Sequence, residues 1–372
     1  MNILRRLPLF RLLIVLALTI AAGVCATALA LALGTGSTPP ARPLADAIHD
    51  ALLGAGARTV HGVSANITFS DHLLEGASLA GGGKSSELTS SPLITGASGR
   101  IWVSDDGEMR VELQSEKGDT QILYDGHTLE LYDAATNTLY RYRPPAQQEP
   151  QRESAAHPHE VPSVAKIEEA IANLSEHVAV SGATPTDIAG QPAYTVRVSP
   201  KEGGSLLGGA ELSFDADNGV PLRGAIYSTE SSSPVLELAA SEISFGPVAS
   251  SVFAITPPAD ATLQEITFSH EHHEGAAAKS GAGERPKLST HGHGPATVAV
   301  LTSPGHGEPR SKAANGEDGA LEGLPKVTIN GTSASELRTA LGTLLSFERS
   351  GVRYLLAGAV SSALVEEVAR GL

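Results

Sequence analysis

Cysteine is almost absent from the 372 residues, with Cys25 standing alone. One thiol permits neither an intramolecular disulfide nor a thiolate metal site, which excludes a stapled scaffold and a zinc ribbon. Aromatic residues are scarce, at 7 Phe, 7 Tyr and 1 Trp, so aliphatic side chains must fill most of any core. Cations are outnumbered, 26 Lys and Arg against 41 Asp and Glu, for a net charge of -15. No stretch concentrates them densely enough to track phosphates, and no nucleic acid partner is expected. The sequence motifs of catalysis are missing too. There is no Gly-x-Ser-x-Gly elbow, Walker loop, dinucleotide fingerprint or His-Glu-x-x-His, and Gly81 to Gly83 lack the helical context of a phosphate cradle. Asp105-Asp106 and Glu168-Glu169 are neighbours in sequence and read as a turn and a solvated helix face. Neither an enzyme nor a bound cofactor is expected.

What is there begins with an apolar run. Arg5, Arg6 and Arg11 precede twenty-two uncharged residues from Leu12 to Leu33. At about 1.5 Å per residue these make a helix of roughly 33 Å, enough for a hydrocarbon core of about 30 Å. The arginines before the run hold the N-terminus in the cytoplasm and send everything after Gly34 outward. Ala28-Leu29-Ala30 also has the small-x-small pattern of a signal peptidase site, so anchor and cleaved signal both stay open. The expected location is the cell membrane, single-pass, with the rest of the chain extracytoplasmic, or secreted if the signal is cut. Cys25 follows a branched Val24 and sits in an apolar stretch, which suits a buried membrane cysteine better than a lipid-modified one.

Beyond the run, Leu44, Ala47, Ile48, Ala51 and Leu52 recur at helical spacing. From Thr59 the period changes to two, with Val63, Ala65, Ile67 and Phe69 on one strand face. Alternating runs from Arg100 to Arg143 are separated by Asp106-Gly107 and Asp125-Gly126, turn dipeptides that predict an antiparallel meander. Val164, Ile167, Ile171 and Leu174 predict one helix, after which five longer strands run to Phe245, two of them joined at Asp217-Asn218-Gly219. That gives about eleven strands and two helices between residues 44 and 268, too many strands for one flat sheet. The predicted fold class is therefore mainly β, an α+β chain built on an incomplete antiparallel barrel with a helical lid.

The expected organisation has four parts: 1–36 as cytoplasmic n-region and membrane anchor or signal peptide, 37–268 as the open barrel, 269–323 as a disordered His/Gly/Pro-rich linker, and 324–372 as a small C-terminal α+β module. In that last part a helix is predicted near Ser335 to Leu341, then strands across Ser350-Gly351 and a helix from Ser362 to Arg370. The linker histidines His270, His272, His273, His291, His293 and His306 have no matched carboxylates or fixed spacing, and read as solvated side chains with no metal site among them.

Gly190-Gln191-Pro192-Ala193-Tyr194-Thr195-Val196-Arg197-Val198, then Leu212-Ser213-Phe214-Asp215 with Asn218-Gly219-Val220-Pro221-Leu222, resemble the LolA-like lipoprotein-carrier superfamily. Phe253 to Pro258, the strand Gly99-Arg100-Ile101-Trp102 and the hairpin from Asp125 to Tyr132 are similar to it as well. That superfamily includes RseB (MucB)-like regulators of envelope stress and LppX/LprG-like lipid binders. The Ala/Gly-rich composition and the segment Gly351 to Ala359 resemble its actinobacterial, membrane-anchored members. The likeness covers residues 44 to 268 and lies in strands and turns, with no chemical motif.

The resemblance implies a half-open barrel enclosing an apolar cavity for acyl chains, an environment worth about 0.8 kcal/mol per buried methylene. Candidate lining residues are Trp102, Val111, Leu113, Leu129, Leu131, Val196, Val198, Leu212, Phe214, Leu222, Leu236 and Leu238, with Ile167, Ile171 and Leu174 on the lid. An ordinary packed core would use the same residues. The implied function is non-enzymatic lipid or lipoprotein binding or carriage. Its alternative is an envelope sensor that regulates a membrane-bound anti-sigma factor. The expected partners are accordingly an acyl lipid or lipoprotein, the cytoplasmic membrane and, in the alternative, that anti-sigma factor.

Overall fold

The computed structural model describes residues 38–57, 60–74, 96–115, 118–144, 161–254, 257–266, 287–304 and 324–372. The apolar run at Leu12 to Leu33 lies outside them. Among the described residues no helix is long and apolar enough to cross a membrane.

Helix α1 (Leu44–Ala57) opens the described chain. Strands β1 (Gly62–Asp71), β2 (Ala97–Ser104), β3 (Met109–Ser115), β4 (Gly118–Tyr124), β5 (Leu129–Asp133) and β6 (Thr138–Tyr142) follow as the predicted meander, each antiparallel to the last. Gly107 and Gly126 occupy the positive φ, 83° and 88°, that the two Asp-Gly turns require. Helix α2 (Val164–Ser175) starts at Ser163, whose Oγ accepts the Lys166 N–H at 3.4 Å. Strands β7 (Val178–Val180), β8 (Thr184–Ile188), β9 (Gln191–Pro200), β10 (Leu207–Asp215), β11 (Pro221–Ser228), β12 (Pro234–Phe245) and β13 (Thr262–Ile266) complete this half.

These thirteen strands form one sheet in the order β13-β6-β5-β4-β3-β2-β1-β12-β11-β10-β9-β7, with β8 also on β9. The sheet does not close on itself. Two strands exceed the expected eleven, and both carry sequence that hides them. Strand β8 contains Pro185, and β13 is a mostly exposed segment lying parallel to β6. Every other pairing in the sheet is antiparallel. The meander and the second strand group meet where β1 pairs with β12, across a bulge that leaves Ser241 unpaired between Ala240 and Glu242.

The helices pack at the far end. Leu44, Ala47, Ile48 and Ala51 of α1 cluster with Tyr194, Phe214 and Val196 of β9 and β10, and the Tyr194 hydroxyl donates to Pro40 O at 2.8 Å. Helix α2 packs against α1 and β7.

A second sheet contains β14 (Lys287–His291), β15 (Val298–Pro304), β16 (Lys326–Ile329), β17 (Thr332–Thr339), β18 (Gly342–Arg349) and β19 (Val352–Gly358), in the order β14-β15-β19-β18-β17-β16. Helix α3 (Ser362–Arg370) lies on it as expected. Two expectations need correction here. Strands β14 and β15 fall inside 269–323, where a disordered linker was expected, because β19 supplies a backbone partner along the whole of β15. Residues read as a helix near Ser335 to Leu341 form strand β17 and the turn after it. Asn330-Gly331, with φ of 47° and 82°, makes a tight hairpin that commits Thr332 onward to pairing with β16.

Val298, Val300, Ile329, Leu345, Leu356, Val360 and Val365 make the core of this second unit. It meets the first sheet through backbone hydrogen bonds. Leu206 N–H donates to Ala359 O at 2.7 Å, the Ser205 hydroxyl donates to the same oxygen at 2.8 Å, and Ala340 N–H donates to Leu73 O at 3.0 Å.

Candidate functional site

Strand pairing assigns a side to every residue of the large sheet, since directly paired residues share a face and neighbours alternate. Val111 pairs with Ile122, Ile122 with Leu131 and Leu131 with Tyr140. In the other direction Val111 pairs with Ile101, Ile101 with Ala65 and Ala65 with Ile243. Leu238 then leads through Gly224 and Leu212 to Val196. Two apolar rows therefore share one face, one from Tyr140 on β6 to Ile243 on β12 and one from Leu238 on β12 to Val196 on β9, offset along β12. Leu113 and Leu129 stand on the same face beside Val111 and Leu131. Leu236, Val198 and Phe214 stand on it beside Leu238, Val196 and Leu212, while Leu222 is the unpaired residue of a bulge between Pro221 and Arg223 and packs with Val60, Val63 and Val220.

Ten of the twelve lining candidates thus share one face by register; Leu222 sits in the bulge, and Trp102 stands on the other face. It pairs with Ser64 and Arg110, one residue out of phase with Ile101 and Val103. Of the helical candidates, Ile167 is buried, Ile171 half-buried and Leu174 exposed. Sequence reasoning missed Ile101, Ile122, Tyr140, Ile226 and Ile243 on the apolar face. For the first four the signal was the alternation itself, since each sits directly across from a residue already chosen; Ile243 lies across from Ala65, which was not chosen.

Burial varies along this face. Ala65, Ile67 and Leu113 form a packed cluster with Ile101, Val111, Leu238, Ala240 and Ile243 around them. Away from it Val196, Val198, Leu129 and Leu131 are half-buried, and Leu212 is 43% exposed. Leu52 and Leu53 of α1 are exposed as well.

The other face carries the charge. Arg100, Arg110, Arg141, Arg197 and Arg223 all alternate onto it, and no Lys or Arg stands at a paired position of the apolar face. Across β9 to β12 the charged side chains form a network. Arg223 donates to Glu237 Oε2 from Nε at 2.9 Å and to Glu211 Oε2 from Nη1 at 3.0 Å. The Tyr227 hydroxyl donates to Glu211 Oε2 at 2.7 Å, and Arg197 donates to Glu211 Oε1 at 3.1 Å. The Arg197 guanidinium also lies 4.4 Å from the Tyr227 ring centre. Burial acts to raise the Glu211 pKa, but hydrogen bonds from Tyr227, Arg223 and Arg197 outweigh it and leave the carboxyl below its ordinary value. Burial first, and its place in this network, hold the Tyr227 phenol above its ordinary value.

Asp133 on β5 and Asp71 on β1 place carboxyls at the edges of the apolar face. Asp71 pairs with Leu236, and burial pushes its pKa from the ordinary 3.8 up to about 6, against the Leu73 N–H and the charge of His72, which pull it down. A proton bound by the folded form and absent from the unfolded one stabilises the fold. Stability is therefore expected to fall as pH rises from 3.8 to about 6. Urea unfolding across that window checks the slope, and Asp71→Asn should flatten it; an unchanged slope in the variant would locate the dependence elsewhere.

No group of three or more metal-ligating side chains is assembled among the described residues. His291 lies in β14 and His293 just beyond it, while His270, His272, His273 and His306 are outside the described residues. The paired positions of the apolar face offer hydrocarbon contact without a Lys or Arg among them, which suits retention of an uncharged chain.

No protein-family model matches the sequence, and no curated protein matches it either. Among solved structures the chain is similar to MucB in complex with MucA(peri), at 14% identity and a TM-score of 0.42, covering 88% of this chain and 97% of that one. It is similar to the Pseudomonas aeruginosa MucA/MucB complex structure at 15% identity and a TM-score of 0.41, with 88% and 96% covered. The LolA superfamily protein NE2245 from Nitrosomonas europaea is similar at 10% identity and a TM-score of 0.19, with 85% and 91% covered.

Proposed function

We propose that this chain is a non-enzymatic, extracytoplasmic lipid- or lipoprotein-binding protein that holds acyl chains against the apolar face of its open sheet, with α1 and α2 as a lid at one end. The observation that carries this reading is the sorting of side chains by face. All five strand arginines named above stand on one side, and two apolar rows, from β6 to β12 and from β12 to β9, stand on the other. Leu212, 43% exposed on that face, supports the reading by leaving apolar surface for a hydrocarbon chain to cover. Each methylene transferred from water to this face gains about 0.8 kcal/mol, so a single long chain offers ample gross driving force before ordering costs. The apolar run at Leu12 to Leu33 supports placement at the outer side of the cytoplasmic membrane, tethered or released.

Native mass spectrometry of the exported region tests the reading directly. An acylated species is expected to remain bound after purification and to be displaced by a fatty acid of similar length. A protein that emerges empty and takes up no long-chain fatty acid overturns it.

The second sheet favours a sensor as the alternative. A carrier needs only the first sheet, whereas here Leu73 and Leu206, on separate segments of the large sheet, both bond to turns of the small one. Occupancy of the apolar face would then alter a surface presented to a membrane-bound anti-sigma factor. Lipid-dependent co-precipitation of such a factor separates sensor from carrier.

A further inference from the structure

The large sheet has a concavity on the face opposite the apolar one. It is a depression of about 480 Å³ lined by Asn66, Ile67, Thr68, Ser98, Gly99, Arg100, Glu112, Gln114 and Ser241. By register Asn66, Arg100 and Glu112 stand in one row across β1, β2 and β3, with Thr68, Ser98 and Gln114 in the next. These side chains form the walls. Ile67 and Gly99 alternate to the other face and contribute backbone to the floor. Gly99 is required there, because a Cβ at that position would lie 1.8 Å from Glu112 O. The bulge at Ser241 opens the rim on the β12 side.

The lining is polar in both senses. Two amides, three hydroxyls, one guanidinium and one carboxylate offer donors and acceptors side by side, and the two charges cancel. An anion would face Glu112 and the neighbouring Glu242, and a cation would face Arg100 and the neighbouring Arg110. A neutral ligand dense in hydroxyls satisfies both kinds of group. The walls are also held in place before a ligand arrives. Arg100 Nε donates to Asn66 Oδ1 at 3.1 Å, and Asn66 Nδ2 donates to Glu242 Oε2 at 2.7 Å. Arg110 donates to Glu112 Oε1 at 2.5 Å, and to Val252 O at 2.6 Å. Such anchoring lowers the ordering cost of binding. One residue pair along the same face, Trp102 stands between Ser64 and Arg110, with the Arg110 guanidinium 5.9 Å from its ring centre. It is half-buried and lies one row beyond the lining of the depression, close enough to report on it.

We propose that this depression is a binding site for a neutral saccharide of one or two rings, independent of the lipid-binding face. Its volume lies toward the small end of the range of about 300–1,000 Å³ typical of ligand sites. The hydroxyl-rich ligand is either a free sugar or the terminal unit of a surface glycan, and both present the same chemistry.

Trp102 is the chain's sole tryptophan, so intrinsic fluorescence reports on this face alone. The full chain is titrated with cellobiose, maltose, trehalose and N,N′-diacetylchitobiose, with saturation-transfer NMR as a second readout. At least one disaccharide is expected to bind saturably below about 50 mM, the weak end for a site this size. Arg100→Ala and Gln114→Ala alter exposed side chains and should weaken that binding by about tenfold or more, whereas Leu212→Glu on the opposite face should leave it unchanged. Retention on an immobilised polymer of the binding sugar identifies a glycan end, and binding of the free disaccharide without retention identifies a soluble sugar. Absence of a saturable response to all four sugars by both readouts overturns the proposal. So does binding that survives Arg100→Ala and Gln114→Ala intact. Because the lipid test uses the other face, each of the two readings can fail alone.

Discussion

Leu212→Glu is expected to strip acyl lipid from the protein while leaving the fold intact. Leu212 is 43% exposed on the apolar face, one strand in from the β9 end of its row, so a longer polar side chain can extend into solvent. A bound hydrocarbon chain changes that environment, since the carboxylate must then lose water without gaining a partner. The nearest paired positions are Gly224 and Val196, and neither can donate a side-chain hydrogen bond. Desolvation of this kind costs about 2 kcal/mol or more in a protein, which is a loss in affinity of ~30-fold. Leu212→Met keeps the surface apolar and should bind as the parent does. Lipid retention by native mass spectrometry, beside a urea midpoint for each variant, gives the comparison. Equal retention by both variants would remove this row from the binding surface.

Arg223→Ala is expected to produce the largest loss of stability of any surface change on the large sheet. The guanidinium is four-fifths buried, with a side-chain exposure of 18%, and it neutralises Glu211 and Glu237 together. Its removal leaves two partly buried carboxylates on adjoining strands with their chief counter-charge gone. Breaking a fully buried pair in this way costs about 3–5 kcal/mol, and the residual exposure here reduces that to roughly 2–4 kcal/mol. The pH dependence has a definite sign. Glu211 is held below its ordinary value in the folded state, so its contribution is present above the unfolded carboxylate pKa and is lost as pH falls through the lower, folded one. Arg223→Ala should therefore unfold at lower urea concentration near neutrality and lose less on acidification than the parent. Below its own midpoint the variant should still bind lipid, because the network stands on the opposite face.

The sheet was legible where its turns carried Gly and its strands alternated. Asp106-Gly107, Asp125-Gly126 and Asp217-Asn218-Gly219 each place a glycine at positive φ between paired strands, as read from the sequence. Strands with no buried face were not legible. Strand β14 is exposed at all five residues and β13 at four of five, so neither shows the apolar period that marks a half-buried strand. Strand β17 misled because Leu337, Ala340 and Leu341 fall at helical spacing. Pairing with β16 and β18 on both sides overrode that local pattern.

The candidate face was legible for the same reason as the meander. Choosing every second apolar residue within a strand chooses a side, and register does the rest. Trp102 was chosen for its size and against the alternation of Ile101 and Val103, and it stands with the arginines. The polar depression had no signature in the sequence. Its residues come from four strands, and nothing in any one of them marks Gln114 or Ser241 as neighbours.

Strand β13 lies along β6, but more than a hundred residues of chain separate the two. A polypeptide threaded through a secretion pore from its N-terminus would deliver the whole meander well before the strand that seals its outer margin. During that interval the unpaired margin of β6 could template pairing with another nascent molecule. If the chain is exported as proposed, it should accordingly depend on a holding factor that shields newly emerged β6, and truncation just ahead of residue 262 should turn soluble product into aggregates.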